Sequence, residues 1–432
     1  MTRFLYTVLL CMFAPFIWLW MRVRAGKDGA RWQILAPTRF GRYVERKEDH
    51  GRIGRVWVHA VSLGEVRAAH PLIKTLLNRG FPLLLTHTTP TGWEEAARVY
   101  GGEIASGQLR QAWLPYDFPG LVRRFLGFFK PRCGILIERE VWPNLIHEAG
   151  RFGVPIVLVS ARFSERSLRQ SRRIRWVLGR TYGALDLVLA QTQGDADRLR
   201  EIGASDPQVV GNLKFDVTPS VDQMRQGRDW RVARSAPVVV IASTREGEDQ
   251  MFVSAIDQHR QHAPPGVLHV LIPRHPQRFD SAAAILDAQG LAYMRRSDGL
   301  DAVKDGLTVL LGDSLGEMAF YYAAADVAIV AGGFAPMGGQ NLIEACAAGT
   351  PVIVGPHMRN FAQAVSDAVA AGGAIQVDNA EEALLQAYEL LRDTRRREEM
   401  KAAALSWTAA HAGATSRIVN ALEPWLGSES GG

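Results

Sequence analysis

The chain has 432 residues, too many for a stapled mini-protein, and at about 150 residues per domain it predicts roughly two or three domains. Apolar residues make up 47% and charged residues 22%, which excludes a wholly disordered chain and a polytopic membrane protein. The 50 Lys and Arg against 44 Asp and Glu leave a formal charge of +6, too mild for a nucleic-acid partner and compatible with anionic substrates or an acidic membrane surface.

The first element is the uncharged stretch 4–21, FLYTVLLCMFAPFIWLWM. As a helix it approaches the roughly 30 Å thickness of a bilayer core, with Pro15 inside it and Trp18 and Trp20 placed as interfacial anchors. Only Arg3 precedes the apolar run, whereas Arg22, Arg24, Lys27 and Arg31 follow it. That asymmetry predicts a membrane anchor over 1–24, spanning or monotopic, with the rest of the chain on the cytoplasmic side. The bulky exit WLWMRVR argues against a cleaved signal peptide, which needs small residues at its cleavage site. Cys11, Cys133 and Cys346 are widely spaced without a CxxC, so disulfide and zinc frameworks are not expected and a reducing compartment is.

Beyond the anchor, short apolar runs alternate with helix-like stretches. Strands are predicted over 56–61, 82–86, 133–137, 155–159 and 185–190, then over 237–242, 267–272, 307–311, 327–330 and 351–354. Continuous apolar strands between amphipathic helices indicate parallel sheets covered on both faces. The expected class is therefore α/β, with Rossmann-like domains over 36–217 and 237–426 joined by a polar connection over 218–236. Chemistry is expected in the loops after the strands.

Four of those loops carry candidate chemistry. After the first strand, His59-Ala60-Val61-Ser62-Leu63-Gly64-Glu65 brings Glu65 to a helix start, as a general base or as a carboxylate complementing the helix dipole. After the strand 133–137 come Glu138, Arg139 and Glu140, followed by Trp142-Pro143-Asn144, with Pro143 suited to a first helical turn. Arg274 and His275 follow 267–272 and suit either a phosphate or a surface ion pair. Last, Gly332-Gly333 and Gly338-Gly339-Gln340-Asn341-Leu342-Ile343-Glu344 form a glycine-rich strand-to-helix junction, expected to approach a phosphate through backbone amides while Glu344 takes ribose hydroxyls. Neither a GxGxxG in a first βα unit nor a P-loop is present, which lowers the dehydrogenase and P-loop readings. His259 and His262 are three residues apart without a carboxylate motif, and no metal site is expected.

Taken in order, HAVSLGE, THTTPTG, LPYDFP, ILIEREVWPNL, SARFSERS, GNLKFD, IASTREGE, IPRHPQRF, GDSLGEM and GGQNLIEACAAGTPVIVGP resemble the 3-deoxy-D-manno-octulosonic acid (Kdo) transferases of lipopolysaccharide assembly. The resemblance covers nearly the whole chain. It implies a GT-B fold of two facing Rossmann-like domains, the first for acceptor and the second for nucleotide sugar. It also implies transfer of Kdo from CMP-Kdo to the distal glucosamine of a lipid A precursor at the inner membrane, with no metal, cofactor or nucleic acid. Carried over residue by residue, Glu65 resembles the proton acceptor, and Glu138 and Lys214 the pair assigned to transition-state stabilisation. Arg274, His275, Gly316, Glu317, Met318, Asn341, Leu342, Ile343 and Glu344 match CMP-Kdo-binding positions. Arg139, Gln340 and the Leu342-Ile343 pair depart from the usual family residues. Within the same architecture the alternatives are another membrane-associated nucleotide-sugar transferase or an epimerase; outside it, an inactive membrane-anchored sugar-binding protein.

Overall fold

The computed structural model describes residues 2–26, 32–45, 54–300, 303 and 306–427; Lys27, Arg31 and the tail beyond Gly427 lie outside the described residues. The chain divides into two compact units, 1–217 with 412–432, and 218–411.

The first unit contains a seven-stranded sheet of β1 (Val56–His59), β2 (Leu83–His87), β3 (Leu109–Trp113), β4 (Cys133–Ile137), β5 (Ile156–Ala161), β6 (Leu187–Ala190) and β7 (Gln208–Val209). Its order is β3-β2-β1-β4-β5-β6-β7, and all six pairings are parallel. Strands β1, β2 and β4 are buried along their whole length, as runs covered by helices on both faces must be. One face packs on Leu72, Ile73 and Leu76, the other on Val122, Phe125 and Leu126.

The second unit has its own seven-stranded parallel sheet, of β8 (Val238–Thr244), β9 (Leu268–Pro273), β10 (Tyr293–Arg295), β11 (Val309–Leu311), β12 (Val327–Val330), β13 (Val352–Val354) and β14 (Ala374–Gln376). The order is β10-β11-β9-β8-β12-β13-β14. The central reversal of strand order lies between β1 and β4 in the first sheet and between β8 and β12 in the second, where β10 also lies outside β11. These reversals are the topological switch points where open α/β sheets bind ligands, at the carboxyl ends of the strands.

Two boundaries differ from the sequence expectation. The stretch 218–236 is not a bare connection, because Val221–Val232 is a helix packed on Met318–Ala324 within the second unit. A Cβ at Gly227 would sit 2.3 Å from the Phe320 carbonyl oxygen, so the two helices meet backbone to side chain through a glycine. Arg231 fixes the contact with a fork onto Asp326, at 2.8 and 3.1 Å. The second boundary is at the carboxyl end, where Ala414–Leu426 belongs to the first unit. Its Ile418, Val419, Leu422 and Leu426 are buried against the first sheet, and the Asp216 carboxylate accepts the Gly413 amide at 2.6 Å and the Thr415 amide.

The amino-terminal helix Thr2–Ala25 lies along the first unit instead of projecting from it. Arg3 pairs with the buried Glu148 at 3.3 Å, Tyr6 donates to Asp117 at 3.0 Å and Thr7 to Asn144 at 3.0 Å. Four turns on, Trp18 packs against Phe40 and Tyr116, with ring centroids 5.5 and 5.7 Å apart. The opposite face, with Phe4, Met12, Phe13, Phe16, Leu19, Trp20 and Val23, is exposed.

Candidate active site

In the first unit the chemistry gathers around the switch point. Gly64 and Glu65 lie in the short helix Leu63–Ala68 after β1, and the Glu65 side chain folds back over the helix start. Its Oε2 accepts the Val61 amide at 2.7 Å, and Oε1 meets the Ser62 hydroxyl at 3.4 Å. Glu65 is half-buried, and burial, with Glu140 and Glu138 adding negative charge, pushes its pKa up to about 8 against the pull of the Val61 amide.

Glu138 follows β4 with φ +61°, a left-handed conformation that costs a non-glycine residue about 1 kcal/mol or more and recurs at functional sites. Two backbone bonds hold it there: its amide donates to Val159 at 3.0 Å, and its carbonyl accepts from Arg162 at 3.4 Å. Its Oε1 accepts Lys214 Nζ at 2.8 Å. Lys214 stands in the single turn Leu213–Asp216, which Asn212 caps through the Lys214 amide at 3.0 Å.

Glu140 completes the cluster. Trp142 donates its indole N–H to Glu140 Oε2 at 3.1 Å, and burial raises the Glu140 pKa. His59 Nε2 lies 3.9 Å from the same oxygen, but burial drives the His59 pKa down to about 3, so this contact is not an ion pair.

In the second unit Arg274 and His275 follow β9, and the Arg274 amide donates to the Thr244 carbonyl at 3.0 Å. Burial, then Arg245 and Arg274, hold the His275 pKa below its usual value, with Arg278 adding to the same push. Arg245 in turn pairs with Glu246 at 3.1 Å, and Arg278 with the buried Asp249. The Tyr322 side chain is buried, and burial, then Glu344, raises its pKa, with Arg274 opposing. Glu317 pairs with Arg296 at 2.8 Å, Gly316 accepts Gln223 Nε2 at 2.8 Å, and Met318 opens the helix Met318–Ala324.

The glycine-rich junction is organised differently from the expectation. Glu248, fully buried, accepts the amides of Arg245 and Gly332 on Oε2 at 2.8 and 2.7 Å, and those of Phe334 and Ala335 on Oε1 at 2.9 and 3.1 Å. The first half of the loop is thus already filled by the protein's own carboxylate, not left open for a phosphate. In its second half, Asn341 Oδ1 accepts the Ile343 amide at 3.1 Å while Asn341 Nδ2 donates to Glu344 at 3.0 Å, and Leu342 caps the helix Ile343–Ala347. His259 pairs with Glu381 at 3.0 Å, and among the described residues no group of three or more His, Cys, Asp or Glu is placed to hold a metal ion.

Residues 36–217 match the family described as 3-deoxy-D-manno-octulosonic-acid transferase (kdotransferase), and residues 300–407 match glycosyl transferases group 1. The 3-deoxy-D-manno-octulosonic acid transferase of Bordetella pertussis is 57% identical over 99% of this chain and 100% of its own length. The chain belongs to the 3-deoxy-D-manno-octulosonic acid (Kdo) transferase family. It is a glycosyltransferase. The Haemophilus influenzae transferase of the same name is 32% identical over 99% of both chains. Among solved structures, UDP-GlcNAc 2-epimerase from Neisseria meningitidis matches with TM-score 0.56 at 15% identity, covering 85% of this chain and 99% of that one. MurG from Acinetobacter baumannii matches with TM-score 0.53 at 15% identity, covering 85% and 99%. These two likenesses show the GT-B type of fold and do not separate a transferase from an epimerase; the full-length relatives do.

The residues expected to act together in the first unit, Glu65, Glu138 and Lys214, stand at one switch point. The sequence alone names Glu140 only as part of the loop after 133–137, and it assigns a role to neither Glu140 nor Arg245. Both follow a predicted strand by a few residues, as Glu65 and Arg274 do, and that position is the feature that could have identified them.

Proposed function

We propose that this transferase moves Kdo from CMP-Kdo to the 6'-hydroxyl of the distal glucosamine of a lipid A precursor, lipid IVA, in lipopolysaccharide assembly. The first unit takes the acceptor and the second the nucleotide sugar. One observation carries the reading: a half-buried carboxylate, Glu65, held by a backbone amide at 2.7 Å, with its pKa raised to about 8 beside the Glu138–Lys214 pair.

A carboxylate whose pKa lies near the working pH is well matched to accept a proton from a sugar hydroxyl. In the proposed step Glu65 takes the proton of the acceptor 6'-hydroxyl. The oxygen forms a bond to the anomeric carbon of Kdo as the bond from that carbon to the CMP phosphate oxygen breaks, and CMP departs with the electron pair. A single displacement inverts the configuration, with no covalent intermediate on the protein. Lys214, oriented by Glu138, offsets negative charge near the Kdo carboxylate. Arg274, His275 and the residues Gly316 to Met318 and Asn341 to Glu344 receive the CMP moiety, with the Arg274 guanidinium favouring its phosphate.

The site of action is the inner membrane, on the cytoplasmic side. Supporting this, the Thr2–Ala25 helix presents a continuous apolar face outward, and Cys11, Cys133 and Cys346 are all free thiols. Because contacts near both ends tie that helix to the first unit, it lies in the membrane plane with its outer face among the lipids.

The test is incubation of the purified chain with tetraacylated disaccharide phosphate and a panel of nucleotide sugars, CMP-Kdo being generated in situ. The expected product carries added Kdo by mass. Turnover of UDP-GlcNAc without any transfer from CMP-Kdo would contradict the reading.

A further inference from the structure

A cavity of about 430 Å³ lies between the amino-terminal helix and the first unit, within the range of about 300–1,000 Å³ typical of ligand pockets. Its outer wall is formed by Leu10, Ala14, Ile17 and Met21 of the helix, one residue per turn, with Ala14 buried and Ile17 at the exposed rim; its inner wall includes Val122 and Leu145. The lining is overwhelmingly apolar. A buried cation interrupts it: Arg39, whose guanidinium stacks on Trp113 at 4.2 Å and donates to the Thr88 carbonyl at 2.7 Å, while its buried Nε has no hydrogen-bond partner.

Two lining residues connect this cavity to the acidic cluster. Thr89 donates its hydroxyl to the Val61 carbonyl at 2.7 Å, and the amide of that same Val61 holds Glu65. Trp142 lines the cavity and donates its indole N–H to Glu140. The space is therefore apolar, bounded on one side by the helix whose reverse face is exposed and apolar, and one residue removed from two carboxylates of the site. A bulk lipid would need only the outer face of the helix. A chain lodged under the helix lies against Thr89, one residue from the Val61 turn that holds Glu65, within reach of a molecule whose head group meets the base.

From this arrangement we infer that the cavity is an acyl-chain subsite for the acceptor: it takes one fatty acyl chain of the lipid whose sugar hydroxyl faces Glu65, with Arg39 meeting the carbonyl or hydroxyl oxygen of that chain. This rests on the acceptor being a glycolipid, as proposed above, and it adds a place in the first unit where the lipid is measured.

The experiment uses the full chain in detergent micelles with an acceptor disaccharide bearing a photoactivatable diazirine in one acyl chain. The expected label falls on peptides carrying Leu10 to Ile17 and on those carrying Val122 or Leu145, and Ala14→Trp reduces it at least about tenfold. In parallel, shortening the acyl chain should lower kcat/KM of the unsubstituted protein by up to about fourfold per methylene lost from the cavity, and Ala14→Trp should flatten that dependence. If Ala14→Trp does not fold, as judged by thermal unfolding, Ile17→Trp takes its place. Label confined to peptides distinguished only by outward residues such as Phe4, with chain-length dependence intact in the filled variant, would overturn the inference. Cavity labelling without Kdo transfer would leave the subsite standing and refute the proposed reaction; transfer without cavity labelling would do the reverse.

Discussion

Lys214 Nζ donates to Glu138 Oε1 at 2.8 Å, joining a loop after β4 to a turn 76 residues later in the chain. Glu138 holds its side chain in place from a left-handed backbone conformation, and Asn212 caps the turn that presents Lys214. If the pair steadies charge in the transition state, Lys214→Ala lowers kcat by about 10²–10³-fold with a smaller change in donor affinity. Glu138→Ala and the double variant should be non-additive, with a coupling of about 0.5–3 kcal/mol in the activation free energy. Additive losses measured by steady-state kinetics would mean that the two residues act separately.

The pH profile has a defined sign. A base works when ionised, so with the Glu65 pKa near 8 the acidic limb of kcat/KM should fall about tenfold per pH unit below about pH 8 and level off above it. His59 and His87, held down to about 3 and 4 by burial, stay neutral through that range and do not create the limb. A limb with its midpoint near 4.5 would show Glu65 to be an ordinary exposed carboxylate.

Glu248 ties the loop after β8 to the loop after β12 through four backbone amides. Its removal leaves those amides without their acceptor. Glu248→Ala should destabilise the protein by at least about 3 kcal/mol in denaturant unfolding and weaken nucleotide binding, at about 1–3 kcal/mol for each buried group left unsatisfied. Glu248→Gln, which keeps one acceptor oxygen, should lose less. Equal stability of Glu248→Ala and the parent would show that the loop amides find other partners.

Gly92 allows the helix Pro90–Val99 to approach the Val61 carbonyl, since a Cβ there would stand 2.5 Å from that oxygen. Gly92→Ala must displace Val61, whose amide orients Glu65. The expected result is a drop in kcat of about ten- to a hundredfold, as a misplaced catalytic group produces. Donor binding should be nearly constant. Unchanged kcat would separate the Val61 turn from catalysis.

The long apolar strands were legible because parallel sheets buried on both faces select continuous runs such as Val238 to Ala242. Strand β3 was not, since it carries Arg110 and Gln111, which are buried and hydrogen-bonded to the Val44 and Trp93 carbonyls. The helix Val221–Val232 read as a polar connection because its closest contact is made by Gly227, not by an apolar stripe. Of the site, Glu65 and Glu138 could be named from their position after strands. The capture of the Gly332 loop by Glu248 could not, because it depends on two loops separated by more than 80 residues meeting across adjacent strands. In the same way an apolar run like 4–21 predicts affinity for lipid, whereas its orientation is set by Arg3, Tyr6 and Thr7 finding Glu148, Asp117 and Asn144.

The central claim is that Glu65 removes the proton from the acceptor hydroxyl. Single-turnover transfer from CMP-Kdo to the acylated disaccharide, measured for Glu65→Ala alongside CMP-Kdo binding, tests it most directly. The account predicts a loss of about 10²–10⁴-fold in the chemical step with donor binding retained. Near-normal turnover by Glu65→Ala, with the donor bound as tightly as in the parent, would contradict it.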